Sequence, residues 1–224
     1  MTRLLLAALL VSLPAFALDP FEIQVYDGTA NAAGAAALEV HLNSNDRAHM
    51  TLEPSYGVTS WWELGAYVQG ALLPDGSLDY AGAKLRSKFV TPPGFDEHFR
   101  FGINLEVSLL PRAFDASRWG AEVRPIAAWE SERWLFAINP DLSGSPDSAP
   151  AFEPGAMAKV KVAGLALGVE YFGAPSEREH YLFGAVDVLS WEGIELNLAA
   201  GKGLTAASEG AVFKAIFGYT FGRR

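Results

Sequence analysis

From residue 38 onward the chain alternates apolar and polar side chains with period two. In Phe99-Arg100-Phe101-Gly102-Ile103-Asn104-Leu105-Glu106-Val107-Ser108-Leu109, six large apolar residues fall on one face and Arg, Gly, Asn, Glu and Ser on the other. Such a segment predicts a strand with two chemically different faces. The same template fits Leu38 to Leu42, Met50 to Val58, Trp62 to Leu72, Ala81 to Phe89, Ala121 to Trp129 and Trp134 to Ile138. It recurs at Ala156 to Val162, Leu165 to Tyr171, Leu182 to Val188, Ile194 to Ala200 and Phe213 to Phe221, which makes twelve predicted strands. Turn formers separate them, among them Ser44-Asn45-Asp46, Pro74-Asp75-Gly76, Ala163-Gly164 and Trp191-Glu192-Gly193.

The connections are unequal. Thr59-Ser60, Glu130 to Arg133, Ala163-Gly164 and Ser190 to Gly193 are short and return to the side where the strands begin, whereas Pro111 to Arg118, Ser143 to Pro150, Gly173 to Glu179 and Thr205 to Gly210 lie on the other side. Short turns on one rim and longer loops on the other predict an up-and-down antiparallel transmembrane β-barrel of about twelve strands, short rim periplasmic. Thr91 to His98 departs from this, being long on the short side. Trp61, Trp62, Trp129, Trp134 and Trp191 sit beside short connections, where an aromatic girdle belongs, and Trp119 lies opposite.

The apolar faces carry no charge at the strand centres. A cation on a lipid-facing mid-strand position costs ~2–4 kcal/mol, so the charged faces are assigned to the lumen. On this reading Leu105 faces lipid and is intolerant of Arg, while Asn104 beside it, facing a polar lumen, accepts one. A soluble barrel would invert the faces, and alternation alone does not exclude it.

Composition sharpens the picture. The 224 residues include no Cys, so disulfides, thiolate metal sites and cysteine nucleophiles are absent, and 26 acids against 17 Lys plus Arg give a net charge of −9 that argues against a nucleic-acid partner. Arg3, the apolar run Leu4 to Leu13, Pro14 and the small-x-small Ala15-Phe16-Ala17 predict a secretory signal over 1–17, cleaved after Ala17, with 18–224 as the barrel domain. The expected location is the outer membrane, with the lipid bilayer and the barrel-assembly machinery as partners. Phe213, Phe217, Tyr219 and Phe221 share a face of the last strand and suit an assembly signal.

Four segments, Glu53-Pro54-Ser55-Tyr56-Gly57-Val58-Thr59-Ser60-Trp61-Trp62-Glu63-Leu64-Gly65, Trp134-Leu135-Phe136-Ala137-Ile138-Asn139, Leu167-Gly168-Val169-Glu170-Tyr171-Phe172-Gly173 and Gly201-Lys202-Gly203-Leu204-Thr205, spread over most of the chain. In them the chain resembles the outer-membrane barrels grouped as transporters of the meta-pathway of phenol degradation. The resemblance implies a barrel channel passing small hydrophobic or aromatic compounds. A structural or adhesive barrel with a plugged lumen and a soluble periplasmic binding barrel are the alternatives.

Candidate chemistry lies on the inward faces. Glu53, Glu63, Lys84, Arg86, Lys88, Arg100, Glu106, Glu122, Arg124 and Glu170 are the candidate lumen-lining or binding residues. Across the turn at 74–77 Glu63 falls opposite or diagonal to Lys88, and the band alternates in sign. It is either a selectivity lining or a salt-bridged plug. Asp187 and Glu195 are expected to approach across the hairpin at Trp191, or else to be two solvated acids. No G-x-S-x-G elbow occurs, Gly201-Lys202-Gly203 lacks the upstream glycine of a phosphate loop, and His41, His49, His98 and His180 lack the spacing of a metal or triad site. No enzyme, cofactor or metal is expected.

Overall fold

The computed structural model describes residues 18–45, 47–73, 75–111 and 117–222. The expected signal segment, 1–17, lies outside them. All regular structure among the described residues is β: β1 (Ala36–Ser44), β2 (Ala48–Thr59), β3 (Trp62–Leu72), β4 (Leu78–Val90), β5 (Phe99–Leu109), β6 (Trp119–Glu130), β7 (Trp134–Asn139), β8 (Leu142–Gly144), β9 (Ala151–Phe152), β10 (Gly155–Val162), β11 (Leu165–Ala174), β12 (Glu179–Val188), β13 (Ile194–Gly203) and β14 (Ala211–Phe221).

Neighbouring strands pair antiparallel, and β1 meets β14 from Ala36 opposite Phe221 to Ser44 opposite Phe213, which closes the sheet. β7 and β8 lie end to end against β6, and β10 and β9 continue the next stave, so the closed barrel has twelve staves. Pro140 and Pro154 stand at the two interruptions, where the absence of an N–H breaks the ladder. All twelve predicted strands are present. A further irregularity, a register shift between Gln69 and Gly70, lets Ala81 and Lys84 both face inward on β4.

The outward faces carry what a lipid environment requires. Phe99, Phe101, Ile103, Leu105, Val107 and Leu109 of β5 are all exposed, as is Leu85 at 64%. At the short-turn rim Trp61 and Trp62 stack on Phe89, Trp134 stacks on Phe136, and Tyr219 packs edge-on against Phe221 at 4.7 Å. Trp119 is exposed on the opposite rim. The 91–98 connection is pinned by Asp96, whose carboxylate accepts from the backbone N–H of His98 and of Phe99, each at 2.8 Å. Those two donors hold its pKa below the usual aspartate range.

The domain reading needs one refinement. Residues 18–35 do not belong to the wall but run inside the lumen. They begin beside Asn43, Thr51 and His49, in the half toward the long-loop rim, and descend to the short-turn rim before entering β1. There they cross so close to β2 that a Cβ on Gly57 would lie 2.2 Å from the carbonyl oxygen of Ala32, which leaves glycine as the residue that fits.

Candidate functional site

The segment 18–27 has no strand partner, so apart from a turn in which Glu22 N donates to Asp19 O at 3.0 Å its backbone polar groups turn to side chains. Asn43 Nδ2 donates to Pro20 O at 3.0 Å, Thr51 Oγ1 to Phe21 O at 2.8 Å, Lys214 Nζ to Ile23 O at 2.8 Å and Arg100 Nε to Asp27 O at 2.9 Å. Asn139 serves both groups of one residue, accepting from Tyr26 N at 2.6 Å and donating to Tyr26 O at 3.0 Å. Further down, Asn31 N donates to Glu63 at 2.6 Å. The inner polar residues thus supply to the segment the ladder that a neighbouring strand would have supplied.

Over residues 22–26 the plug keeps period two. Glu22 and Tyr26 face the wall built by β3 to β6, while Leu18, Ile23 and Val25 pack with Ala128, Leu135, Ala137, Met157, Phe172, Phe183 and Val212, nearly all on β7 to β14. Phe21 packs beside Ala71 and Ala81, edge-on to His49 at 4.9 Å.

On the charged wall one guanidinium ties three elements together. Arg124 meets Glu22 of the plug at 3.0 Å, Glu122 of its own strand at 2.6 Å and Asp141 of the β7–β8 break at 3.0 Å. Lys84 similarly reaches Asp19 at 2.8 Å, Glu22 at 3.2 Å and Glu106 at 3.3 Å. Glu106 and Glu122 are direct cross-strand partners, a repulsive arrangement that these two cations offset. The Tyr26 ring lies between Arg86, Lys88 and Arg124, 5.0 to 5.8 Å from its centre, and its hydroxyl donates to Glu22 at 2.9 Å and lies 2.8 Å from that of Tyr67.

Nine of the ten candidate residues join this side. Glu63 is opposite Lys88, as the turn predicts, with the ammonium 3.0 Å from its carboxylate. Arg86 bridges Glu53 and Glu63, each at 2.7 Å, and Arg100 pairs with Asp27 and Glu130. Glu170 is apart, on the other wall, between Lys159 at 2.8 Å and Lys214 at 2.5 Å. Asp187 lies within electrostatic reach of Glu195, as expected, but takes its bonds elsewhere. Lys159 and Asn197 take it instead, because the register sets Asp187 opposite Asn197. Asn104 is fully buried and donates to Glu106 at 2.7 Å, so the expected room for Arg there does not exist.

Most of these ionic groups are almost wholly out of solvent and each has at least one opposite charge in contact. Such a set is costly to break, since removing one partner leaves a charge buried and uncompensated. The alternating band of the sequence is here a lock between wall and plug.

No family model matches the chain, and no curated protein does. Among solved structures, a KdgM porin is similar with a TM-score of 0.63 at 10% identity, over 83% of this chain and 99% of that one. A KdgM porin in complex with disordered oligogalacturonate gives 0.60 at 10% identity, with the same coverage of both chains. A third, from work on in-meso crystallization of membrane proteins, gives 0.55 at 11%, over 85% of each chain. The class of the fold is therefore the twelve-stranded closed barrel of outer-membrane porins. At these identities the likeness extends to the fold and no further.

Proposed function

We propose that this chain is an outer-membrane channel for small hydrophobic or aromatic compounds, held shut by its own N-terminal segment. One observation carries the reading: the lumen is divided lengthwise, and the plug turns Leu18, Ile23 and Val25 toward an apolar wall while its ionic side chains grip the other. If the segment shifts, it uncovers the apolar side chains of Leu135, Met157, Phe172 and Phe183, which suit an apolar solute. The resemblance to the meta-pathway barrels supports the same cargo. An acidic sugar such as the oligogalacturonate of the KdgM complex suits this lumen poorly, because the inner carboxylates, with the half-buried Asp19, Glu39, Glu122 and Asp187 among them, outnumber the lysines and arginines and nearly all of the latter are already paired. On this proposal residues 1–17 are removed on export and the exposed Leu, Phe and Trp belt lies in the bilayer.

The runner-up is a structural barrel with a permanently filled lumen, favoured by the completeness of the ion pairing around Glu22. Vesicles reconstituted with the full chain distinguish the two. The channel reading expects background ionic conductance together with faster influx of an aromatic solute than of a sugar of equal size, and an ion-conducting pore after deletion of residues 18–26. Equal, background influx of both solutes for the full chain would sink the channel and leave the structural barrel.

A further inference from the structure

Glu39 of β1 and Glu53 of β2 are direct cross-strand partners with their side chains inside the barrel. Two carboxylates so placed repel unless a cation lies between them. The next inward residue of β1, His41, turns Nε2 toward both, 3.1 Å from Glu53 Oε2 and 3.6 Å from Glu39 Oε2. One ligand atom from each of the three lies within 4.8 Å of the others. The group is incomplete in protein atoms alone: the fully buried His41 offers a single nitrogen to two carboxylates, and Glu39 Oε2 is buried without a hydrogen-bond partner.

A third carboxylate stands next to them. Gly218 of β14 is the register partner of both Glu39 and Glu195, and a Cβ there would come within 3.2 Å of Glu39 Cγ and of Glu195 Cβ. Glycine at this position lets acids from two strands share one row. The fixed cations bonded to this neighbourhood are Arg86, which spans Glu53 and Glu63, and Lys88, which sits on Glu63. Counted with Glu39 and Glu195, four carboxylates meet these two cations and His41, so with the imidazole neutral, as a metal ligand requires, a deficit of two charges remains that one divalent ion offsets.

We propose that Glu39, His41 and Glu53 form a site for one divalent transition-metal ion of the zinc type, bordered by Glu195. An imidazole with two or three carboxylates is a borderline donor set, suited to Zn²⁺ rather than to Ca²⁺ or Mg²⁺, which prefer six or more oxygens. The sequence spacing gives no hint of it, because the ligands meet across strands: Glu39 and His41 share a face at i and i+2, and Glu53 arrives through the β1–β2 register. The site lies beside the pairing of first and last strands, and the ion ties β1 to β2 next to that seam.

The test uses the full chain, folded in detergent and treated with chelator, titrated with ZnCl₂ by calorimetry and with Co²⁺ by absorption. One saturable site per barrel is expected, with a rise in the temperature at which the compact gel band converts to the unfolded one. Glu39→Gln and His41→Asn are expected to weaken Zn²⁺ binding by about tenfold or more, and His180→Ala to leave it unchanged. Because His41 is fully buried, Glu39→Gln, at a partly exposed side chain, is the variant whose folded band is checked first. Absence of saturable binding by the folded wild type, or unchanged affinity in folded Glu39→Gln, overturns the site.

Discussion

The two walls of the lumen hold the same segment by different physics. Against β3 to β6 the plug is held by charge: Glu22 alone touches Lys84 and Arg124, and each of those cations holds further carboxylates. Against β7 to β14 it is held by fit, with Ile23 and Val25 among Leu135, Met157, Phe172 and Phe183 and one ionic cluster, Lys159–Glu170–Lys214, set among them. Paired buried charges are close to neutral when whole and costly when broken. Apolar packing loses stability in proportion to what is trimmed. The charged wall should therefore act as a switch that is on or off, and the apolar wall as a graded surface.

The largest effect is expected at the hub. Arg124→Met strands Glu122 and Asp141, leaves Glu22 paired with Lys84 alone, and should lower the stability of the folded barrel by ~3–5 kcal/mol, read as a fall in the denaturant midpoint of the heat-modifiable band. Lys214→Met should cost less, ~1.5–3 kcal/mol, the scale of a charged hydrogen bond, because Glu170 loses one of its two cations but keeps Lys159, and the bond to Ile23 O is lost with it. Ile23→Val removes a single methylene at the apolar wall and should cost ~0.5–1.5 kcal/mol. If Ile23→Val proves as damaging as Arg124→Met, the contrast between the walls is wrong. If Lys214→Met is silent, the cluster on the apolar wall holds no part of the plug.

The outer surface of this molecule was legible in the sequence because one constraint acts on it everywhere: outward positions such as Leu105 and Leu85 must be apolar, and period two then assigns the faces. Short-range pairings were legible too, as with Glu63 and Lys88, since a turn fixes the register. What stayed hidden depends on barrel closure. The grouping of Arg124 with Asp141 and Glu22 joins residues up to 102 positions apart that only the finished cylinder brings together. The plug itself carries a signal, Phe21, Ile23 and Val25 alternating with Glu22, Gln24 and Tyr26. That run is too short for a membrane strand of about 9–11 residues, and its hydrogen bonds go to side chains, which no local pattern encodes. The expectation at Asn104 failed for a related reason: a polar face says nothing of whether the space beside it is water or packed chain.

The pairing of β1 with β14 gives the molecule an uneven folding problem. Every other seam joins staves that follow one another along the chain, mostly by way of a turn, so those contacts can zip up one hairpin at a time with little loss of loop entropy. The last seam must instead gather positions such as Ala36 and Phe221 from opposite ends of the sequence. Contacts of that span are slow to form. Since the segment that enters the lumen leads directly into β1, its grip on Arg100, Asn139 and Lys214 brings the first strand to a sheet that is still open. The plug thereby doubles as an internal tether that raises the local concentration of the first edge near the last and shortens the search that ends the assembly.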